Sequence, residues 1–234
     1  MSTRHALVTG ANRGLGLEFT RQLLAAGDHV IAACRQPGRA TALNALAGEH
    51  PGRLHVLPLD LAQPRSHREL ASELPLVLGG ESLGLLVNNA GVLHSGERFG
   101  RLEAPGFEDS FRTNALGPLL LVQALASRLA DGARVANLTS ELGSIASTTR
   151  FGTPSYAMGK AAQNMATVQL ALALAERGIV VVALHPGWVR TDMGGAKAEL
   201  DPADSVAALL RVIAGLGTGD SGRFLDRHGR PLPW

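Results

Sequence analysis

Residues 9–16 read Thr-Gly-Ala-Asn-Arg-Gly-Leu-Gly (TGANRGLG) and join a short apolar run, His5–Thr9, to a helical pattern. The glycine spacing is G-x-x-x-G-x-G, set by Gly10, Gly14 and Gly16. A tight turn of this kind between a strand and a helix lets the backbone approach a diphosphate, whose charge the helix N-terminus stabilises. Turns and helix caps also use glycine without any ligand, so the stretch alone leaves both interpretations open.

The same alternation of strand and helix continues along the whole chain. The predicted strands, rich in leucine and β-branched residues, are His5–Thr9, His29–Cys34, Leu54–Leu59, Leu83–Val87, Arg134–Leu138, Ile179–Leu184 and a short Arg223–Asp226. Helical patterns lie near residues 15–26, 38–47, 64–78, 106–130, 155–177 and 202–215. This order predicts a single-domain α/β Rossmann fold over residues 1–234, a doubly wound parallel sheet of about seven strands with helices on both faces.

The composition argues against a nucleic-acid-binding, a disulfide-rich or a membrane-spanning protein. The chain has 234 residues, a formal charge of +2 and no basic cluster, which argues against a nucleic-acid partner. One cysteine, Cys34, excludes an internal disulfide and is typical of a reducing compartment. No apolar run approaches the ~18 residues of a membrane span, and the first strand leaves no room for a signal sequence. We therefore expect a soluble, cytoplasmic protein without a membrane partner. The histidines show no metal-ligand spacing, so no metal site is predicted.

The end of the second predicted strand bears on which dinucleotide would bind. A carboxylate about 20 residues after the glycine turn holds the ribose hydroxyls in NAD enzymes, whereas this chain has Cys34-Arg35 and no acid there. Arg35, together with Arg13 of the glycine turn, would converge on a 2′-phosphate, for which guanidinium is well suited. The prediction is NADP(H). Either arginine could instead be a solvated loop charge.

Tyr156 and Lys160 form the most unusual pair in the sequence. The chain has one tyrosine and two lysines, and these two residues lie four apart where Pro154 can open a helix, so they share a face. A free phenol titrates near pH ~10, and a nearby ammonium is expected to lower that pKa toward a useful range. The alternative is a helical Tyr–Lys pair with no chemical role.

Taken in order, these pieces resemble the short-chain dehydrogenase/reductase family nearly from end to end. The matching segments are residues 9–16, Asp60-Leu61, Asn88-Asn89-Ala90-Gly91, Asn114, Asn137-Leu138-Thr139-Ser140, Tyr156-Ala-Met-Gly-Lys160 and Pro186-Gly187-Trp188-Val189-Arg190-Thr191. Residues 186–195 (PGWVRTDMGG) and the C-terminal Gly229 and Leu232-Pro233-Trp234 are similar to the C-factor and sniffer-like carbonyl reductase branch.

The resemblance implies a role for each of the matching residues. Tyr156 would be the general acid/base, Lys160 would tune it and bind the nicotinamide ribose, Ser140 would bind the substrate oxygen, and Asn114 would hold a water-linked proton path. Asp60 would meet the adenine and Thr191 the carboxamide. The implied cofactor-binding residues are Gly10, Asn12, Arg13, Gly14, Leu15, Gly16, Arg35, Asp60, Leu61, Asn88, Ala90, Gly91, Tyr156, Lys160, Pro186, Gly187, Val189 and Thr191.

Two departures from the family pattern leave alternatives open. Ser140 and Tyr156 are 16 residues apart, more than is common, so Ser144 is an alternative for the serine role. Gly159 stands where serine is frequent, and we expect it to affect the substrate wall and helix stability more than proton transfer. Asn114 could also be an ordinary helix-breaking residue beside Gly117-Pro118.

The predicted function is reduction of a small-molecule carbonyl compound with NADPH, reversible toward the alcohol. The alternative is a non-catalytic dinucleotide-binding regulatory or signalling protein of the C-factor type. An epimerase or dehydratase is disfavoured, since those proteins carry an added substrate domain.

Two further expectations concern the partner and the substrate. A helix over residues 161–175 that is apolar around its circumference predicts a homodimer or homotetramer. A short segment at 192–201, made flexible by Gly194-Gly195, predicts an open pocket for hydrophobic carbonyls, with walls at Leu93, Leu142, Phe151, Trp188 and Met193.

Overall fold

Seven strands form one sheet in the computed structural model, which describes residues 4–234. They are β1 (His5–Thr9), β2 (His29–Cys34), β3 (Leu54–Pro58), β4 (Leu83–Asn88), β5 (Leu129–Leu138), β6 (Val180–His185) and β7 (Phe224–Asp226). Their order across the sheet is β3-β2-β1-β4-β5-β6-β7, and every neighbouring pair is parallel. The predicted α/β fold with a seven-stranded doubly wound sheet is confirmed.

Helices cover both faces because the strands are apolar on both sides. On one face pack α1 (Gly14–Ala25), α2 (Thr41–Glu49) and α7 (Pro202–Gly215), and on the other α3 (Pro64–Leu78), α5 (Gly117–Leu125) and α6 (Pro154–Ala173). Within β1, Ala6 and Val8 join the first core and Leu7 joins the second, as the alternation of a strand requires. A shorter helix, α4 (Ala104–Phe111), packs against α6.

The helix predicted over 106–130 is found as one continuous helical path that contains a π turn. α4 runs through a π turn at Arg112–Leu116 directly into α5, and a 3-10 turn follows at Ala126–Arg128, after which β5 begins earlier than predicted. In a regular α-helix the N–H of residue 118 would donate to the Asn114 carbonyl, but Pro118 has no N–H. The N–H of the preceding residue, Gly117, donates to the Arg112 carbonyl, five residues back, which is the π pattern. Gly117 also packs closely on α3's leading loop, since a Cβ there would lie 2.6 Å from the Leu61 oxygen.

The strand order places a crevice at the carboxyl ends of β1 and β4. The chain runs from β1 outward through β2 to β3 and then returns to pair β4 with β1, which makes this the topological switch point where ligands bind in such sheets. The glycine turn follows β1, and Asn89, Ala90 and Gly91 follow β4. Among the helices of residues 4–234, none combines the length and apolarity that spanning a membrane requires.

Candidate active site

A cleft of about 770 Å³ opens at this switch point, within the usual range for small-molecule sites. The predicted site residues that line it are Gly10, Asn12, Arg13, Gly14, Leu15, Arg35, Asp60, Leu61, Ala90, Gly91, Tyr156, Lys160, Pro186 and Thr191. These residues come from five strand ends and from α6, so segments far apart in the sequence meet at one edge of the sheet.

The glycine turn is held in shape by the segment that follows β4. Asn89 Nδ2 donates to the carbonyl oxygens of Thr9 (2.8 Å) and Gly10 (3.3 Å), and the Ala90 N–H donates to Thr9 Oγ1 (3.0 Å). Gly10 has a φ of +64°, and a Cβ on Gly16 would collide with the Gly10 oxygen and Asn89 Nδ2. Both glycines are therefore required by the backbone geometry. The sequence motif contained Asn89, but its clamping role was not predicted.

The N-terminus of α1 is prepared for an anion. The side chain of its N-cap residue, Arg13, makes no capping hydrogen bond, and no acidic residue lies in its first turn. Free amide groups at a helix N-terminus, together with the helix dipole, favour a negatively charged group. With close backbone approach at Gly10 and Gly14, the turn fits the diphosphate of a dinucleotide.

The far end of the cleft is basic. Arg35 and Arg39 both line it beside the buried Cys34, and Arg39 lies in a 3-10 turn at Pro37–Arg39 directly after β2. Asp60 lies across the cleft, where its carboxylate accepts from the Ala62 N–H at 3.0 Å. Sequence reasoning missed Arg39, although a second arginine four residues after Arg35 was the available signal.

Arg13 has a partner that the sequence did not suggest. Its Nη1 lies 2.6 Å from Asp192 Oδ2, and both side chains are largely exposed. Both residues line the cleft, Arg13 in the glycine turn and Asp192 in the segment after β6. These two segments lie close together, since a Cβ on Gly14 would contact Thr191. The guanidinium expected to face a 2′-phosphate is thus engaged by a carboxylate.

Tyr156 and Lys160 project from the first turns of α6 into the base of the cleft, with only 8% and 3% of their surfaces exposed. Lys160 Nζ lies 5.6 Å from the centre of the Tyr156 ring. Burial raises the pKa of Tyr156 to about 12, opposed by a hydrogen bond with the Ser140 side chain. Burial also lowers the pKa of Lys160 to about 7.

The predicted lowering of the phenol pKa is therefore not found in the protein without ligands. Removal of the Tyr156 phenol from water disfavours its anion, and this outweighs any attraction from Lys160, whose own charge is disfavoured by the same burial. At neutral pH the phenol is protonated.

The two candidate serines have different surroundings. Ser140 follows β5, accepts from the Leu142 N–H at 3.1 Å and lies close enough to Tyr156 for its side chain to act against the rise of the phenol pKa. Ser144 is buried and turned toward Ser147, whose Oγ and N–H lie 3.0 and 3.1 Å from its oxygen. The geometry favours Ser140 for the role beside the tyrosine.

Residues 4–201 match the sequence model of the short chain dehydrogenase family. The chain belongs to this family. This confirms the resemblance that the ordered motifs indicated.

Individual relatives of this short-chain dehydrogenase point to one branch. The C-signal of Myxococcus xanthus is 46% identical over 152 residues, which cover 64% of this chain and 92% of that protein. The NADPH-bound carbonyl reductase from chicken fatty liver superposes with a TM-score of 0.94 at 37% identity, covering 100% of both chains. Carbonyl reductase Sniffer of D. melanogaster gives a TM-score of 0.95 at 33% identity, covering 99% of this chain and 100% of that one.

Six predicted site residues of this short-chain dehydrogenase lie outside the lining of the cleft: Gly16, Asn88, Asn114, Ser140, Gly187 and Val189. Gly187 lies against Leu200, with a φ of +84°, and Val189 forms a β-bridge with the same leucine. Asn88 donates from Nδ2 to Asn137 Oδ1 at 2.8 Å inside the sheet. These contacts give the three residues structural roles beneath the cleft.

Asn114 lies in the π turn and is fully buried. Its Oδ1 accepts from the Val92 N–H at 2.8 Å, and its Nδ2 donates to the Val92 oxygen at 2.9 Å and to Ser110 Oγ at 3.0 Å. A Cβ on Gly91 would lie 3.1 Å from Asn114 Oδ1 and 3.7 Å from Lys160 Nζ. The asparagine therefore fixes the loop after β4 directly beside the lysine.

Gly159 has a packing reason. A Cβ there would lie 2.8 Å from Ser110 Oγ and 3.2 Å from the Ser110 oxygen, because α4 crosses α6 closely at this point. The same holds for Gly194, whose Cβ would collide with the Val189 oxygen. The expectation that Gly194 only makes its segment flexible is incomplete.

Within residues 4–234, His, Cys, Asp and Glu form no group of three that could hold a metal.

Proposed function

We propose that this short-chain dehydrogenase is an NADPH-dependent carbonyl reductase in which Tyr156 is the general acid/base. The observation that carries the proposal is the buried Tyr156 phenol at the base of the switch-point cleft, close to Ser140 and one helical turn from Lys160. The bound nicotinamide would supply or accept the hydride. The protein would supply position, the proton and a water-poor environment.

The protonation states suit reduction. Because its pKa is about 12, Tyr156 holds its proton at neutral pH and can donate it to a carbonyl oxygen that gains negative charge. The Ser140 hydroxyl, on the same side, would donate to that oxygen as well. Lys160 would complete the arrangement, since its ammonium reaches the cleft beside the phenol.

A preference for the phosphorylated dinucleotide is supported by the charge of the cleft. Arg35 and Arg39 line its far end, and no carboxylate follows β2. The chicken fatty liver carbonyl reductase, with which this chain superposes over its full length, was solved with NADPH bound. We propose NADP(H) as the cofactor of this chain, and the single buried Cys34 supports a reducing, cytoplasmic setting.

The proposed substrates are small or flat hydrophobic carbonyl compounds. Among the candidate wall residues, Leu142, Phe151, Trp188 and Met193 have between 46% and 54% of their surface exposed. Phe99 packs edge-on against Phe151, with ring centres 6.0 Å apart. Of the five candidate wall residues, Met193 lines the cleft and the other four do not. An open rim formed by these apolar side chains would discriminate weakly, by ~1–3 kcal/mol per methylene-sized difference, so we expect a broad substrate range.

We also propose that the chain self-associates through α6. Met158, Met165 and Leu172 recur every seven residues along that helix and are 61–70% exposed. A stripe of this kind on one helix face fits a symmetric contact with a second copy.

A regulatory function without catalysis is the second candidate, because the C-signal relative is 46% identical over 152 residues. Proteins that only sense a dinucleotide have no need of a proton donor. Here Tyr156 and Lys160 line the cleft, Ser140 lies close to Tyr156, and Asn114 holds the loop beside Lys160, which favours the enzyme.

The test follows nicotinamide absorbance with purified protein, NADPH or NADH, and a panel of ketones, aldehydes and quinones. Tyr156→Phe removes only the transferable proton, so it should bind NADPH nearly as tightly as the parent and lose at least ~99% of turnover, within the 10²–10⁴-fold range for acid–base groups. A Tyr156→Phe variant that keeps more than a few per cent of activity would show that another group supplies the proton. No turnover by the parent with any carbonyl of the panel would favour the regulatory function.

A further inference from the structure

Lys160 is anchored by two acceptors deep in the protein. Its Nζ donates to the Leu138 carbonyl oxygen at 2.7 Å and to Gln163 Oε1 at 2.9 Å. An ammonium has three N–H groups, so one remains, and Lys160 lines the cleft. The Leu138 acceptor is a backbone oxygen, which would be present whatever residue stood at that position. The Gln163 acceptor is a side-chain oxygen, so it depends on the presence of glutamine at position 163.

Burial of the polar Gln163 side chain at this position costs free energy of folding. It has 1% of its surface exposed, and its Nε2 has no hydrogen-bond partner within residues 4–234. A leucine or methionine would fill the same volume without leaving a buried amide donor unpaired. A buried polar group of this kind calls for a compensating role, and within residues 4–234 its one side-chain hydrogen bond is with the Lys160 ammonium.

The surroundings of Gln163 hold its backbone in place. Its carbonyl oxygen accepts from Thr167 Oγ1 at 2.9 Å, and that hydroxyl in turn accepts from Asn137 Nδ2 at 2.9 Å. Asn137 accepts from Asn88 Nδ2 at 2.8 Å, which continues the chain of buried hydrogen bonds into β4. The amide oxygen of Gln163 is therefore presented to Lys160 from a rigid part of the sheet–helix interface.

Within residues 4–234, no carboxylate stabilises the Lys160 ammonium. The titratable and charged side chains on the elements packed against α6 are Glu108, Asp109, Arg112, Glu141, His185, Glu176 and Arg177. Burial is the cause of the lowered pKa of Lys160, and none of these groups offsets it. Within α6 itself the titratable neighbour is Tyr156, whose ring centre lies 5.6 Å from Nζ.

We propose that Gln163 is a positioning residue: its amide oxygen favours the charged form of Lys160 and directs the third N–H of the ammonium into the cleft beside Tyr156. The contact acts through the lysine, and Gln163 itself does not line the cleft. The inference concerns Lys160 in the free protein, and its consequence for turnover rests on the proposed function.

The test uses the fact that the sequence has two lysines, Lys160 and Lys197. Lysine labelled with ¹³C and ¹⁵N gives two side-chain NMR signals in the free protein, and exposed Lys197 serves as the internal reference. Loss of a hydrogen bond to a charged group in Gln163→Met should lower the titration midpoint of Lys160 by about one to two pH units. Gln163→Glu should raise it. The exposed Gln169→Met on the same helix is the control and should leave it unchanged.

An unchanged Lys160 midpoint in folded Gln163→Met or in Gln163→Glu would overturn the assignment. If Gln163→Met does not fold, the Gln163→Glu titration decides by itself. A purely structural role for Gln163 would lower thermal stability without moving the midpoint. The rate of NADPH oxidation is also measured as a function of pH for each variant. The midpoint of that pH dependence should move in the same direction as the NMR midpoint of Lys160. Shifted midpoints without turnover in any variant would count against the proposed function and leave the role of Gln163 standing.

Discussion

Substitution of Arg35 by alanine tests how the cleft selects its dinucleotide. Arg35 lines the basic end of the cleft and forms no ion pair within residues 4–234, whereas Arg13 is already bound by Asp192. Of the two arginines that the sequence assigned to a 2′-phosphate, Arg35 is therefore the one that can bind it without first losing another contact.

The magnitude follows from exposure and partners. A charge-assisted hydrogen bond contributes about 1.5–3 kcal/mol, and Arg35 is exposed, so solvent screening favours the lower end. Arg35→Ala should weaken NADPH binding about 10- to 30-fold and leave NADH binding within about twofold. Arg13→Ala should cost less, about 3- to 10-fold, because phosphate contact by Arg13 requires release of Asp192. Exposed ion pairs are worth about 0–1 kcal/mol, so Asp192→Asn should tighten NADPH binding by up to about fivefold.

The assay is fluorescence titration of both dinucleotides into parent, Arg35→Ala, Arg13→Ala and Asp192→Asn, at low and at physiological salt. Arg211, an exposed residue of α7, gives a matched arginine-to-alanine control that should change neither constant. An NADPH/NADH affinity ratio in Arg35→Ala equal to that of the parent would refute the reasoning. So would a larger loss in Arg13→Ala than in Arg35→Ala.

Three further predictions concern the serine, the lysine and the helix surface. Ser140→Ala should lose most turnover, whereas Ser144→Ala should keep it and lose about 1 kcal/mol of stability with its contacts to Ser147; the reverse pattern would move the role to Ser144. Because burial lowers the folded pKa of Lys160 to about 7, the free energy of unfolding should rise between pH 7 and 10, by at most about 4 kcal/mol. Urea unfolding of Lys160→Met should show a flatter rise, and an equal rise would contradict the burial argument. Met165→Glu should shift sedimentation toward the monomer, and a parent that is monomeric at micromolar concentration would remove the proposed contact.

Most of the secondary structure could be predicted from local sequence patterns. Apolar runs such as His29–Cys34, buried on both faces, and the glycine turn between β1 and α1 are set by short-range chemistry, so the doubly wound parallel sheet could be predicted from them. The strand order and the π turn within the helix over 106–130 were not predicted. The π turn needs contacts between distant parts of the chain. It depends on Pro118 and on the contact of Gly117 with Leu61, a residue 56 positions earlier in the chain.

The sequence by itself indicated Tyr156, Lys160 and the glycine turn as parts of one site, through the ordered motifs of the family that it resembles. These segments meet because parallel strands bring their carboxyl ends to one edge of the sheet. Only the tertiary structure decided their electrostatics. Desolvation depends on everything packed around a group, so the pKa of Tyr156 rises although a lysine lies one turn away. Likewise Arg13 meets Asp192, 179 residues later, since ion pairing depends on distance in space and not along the chain.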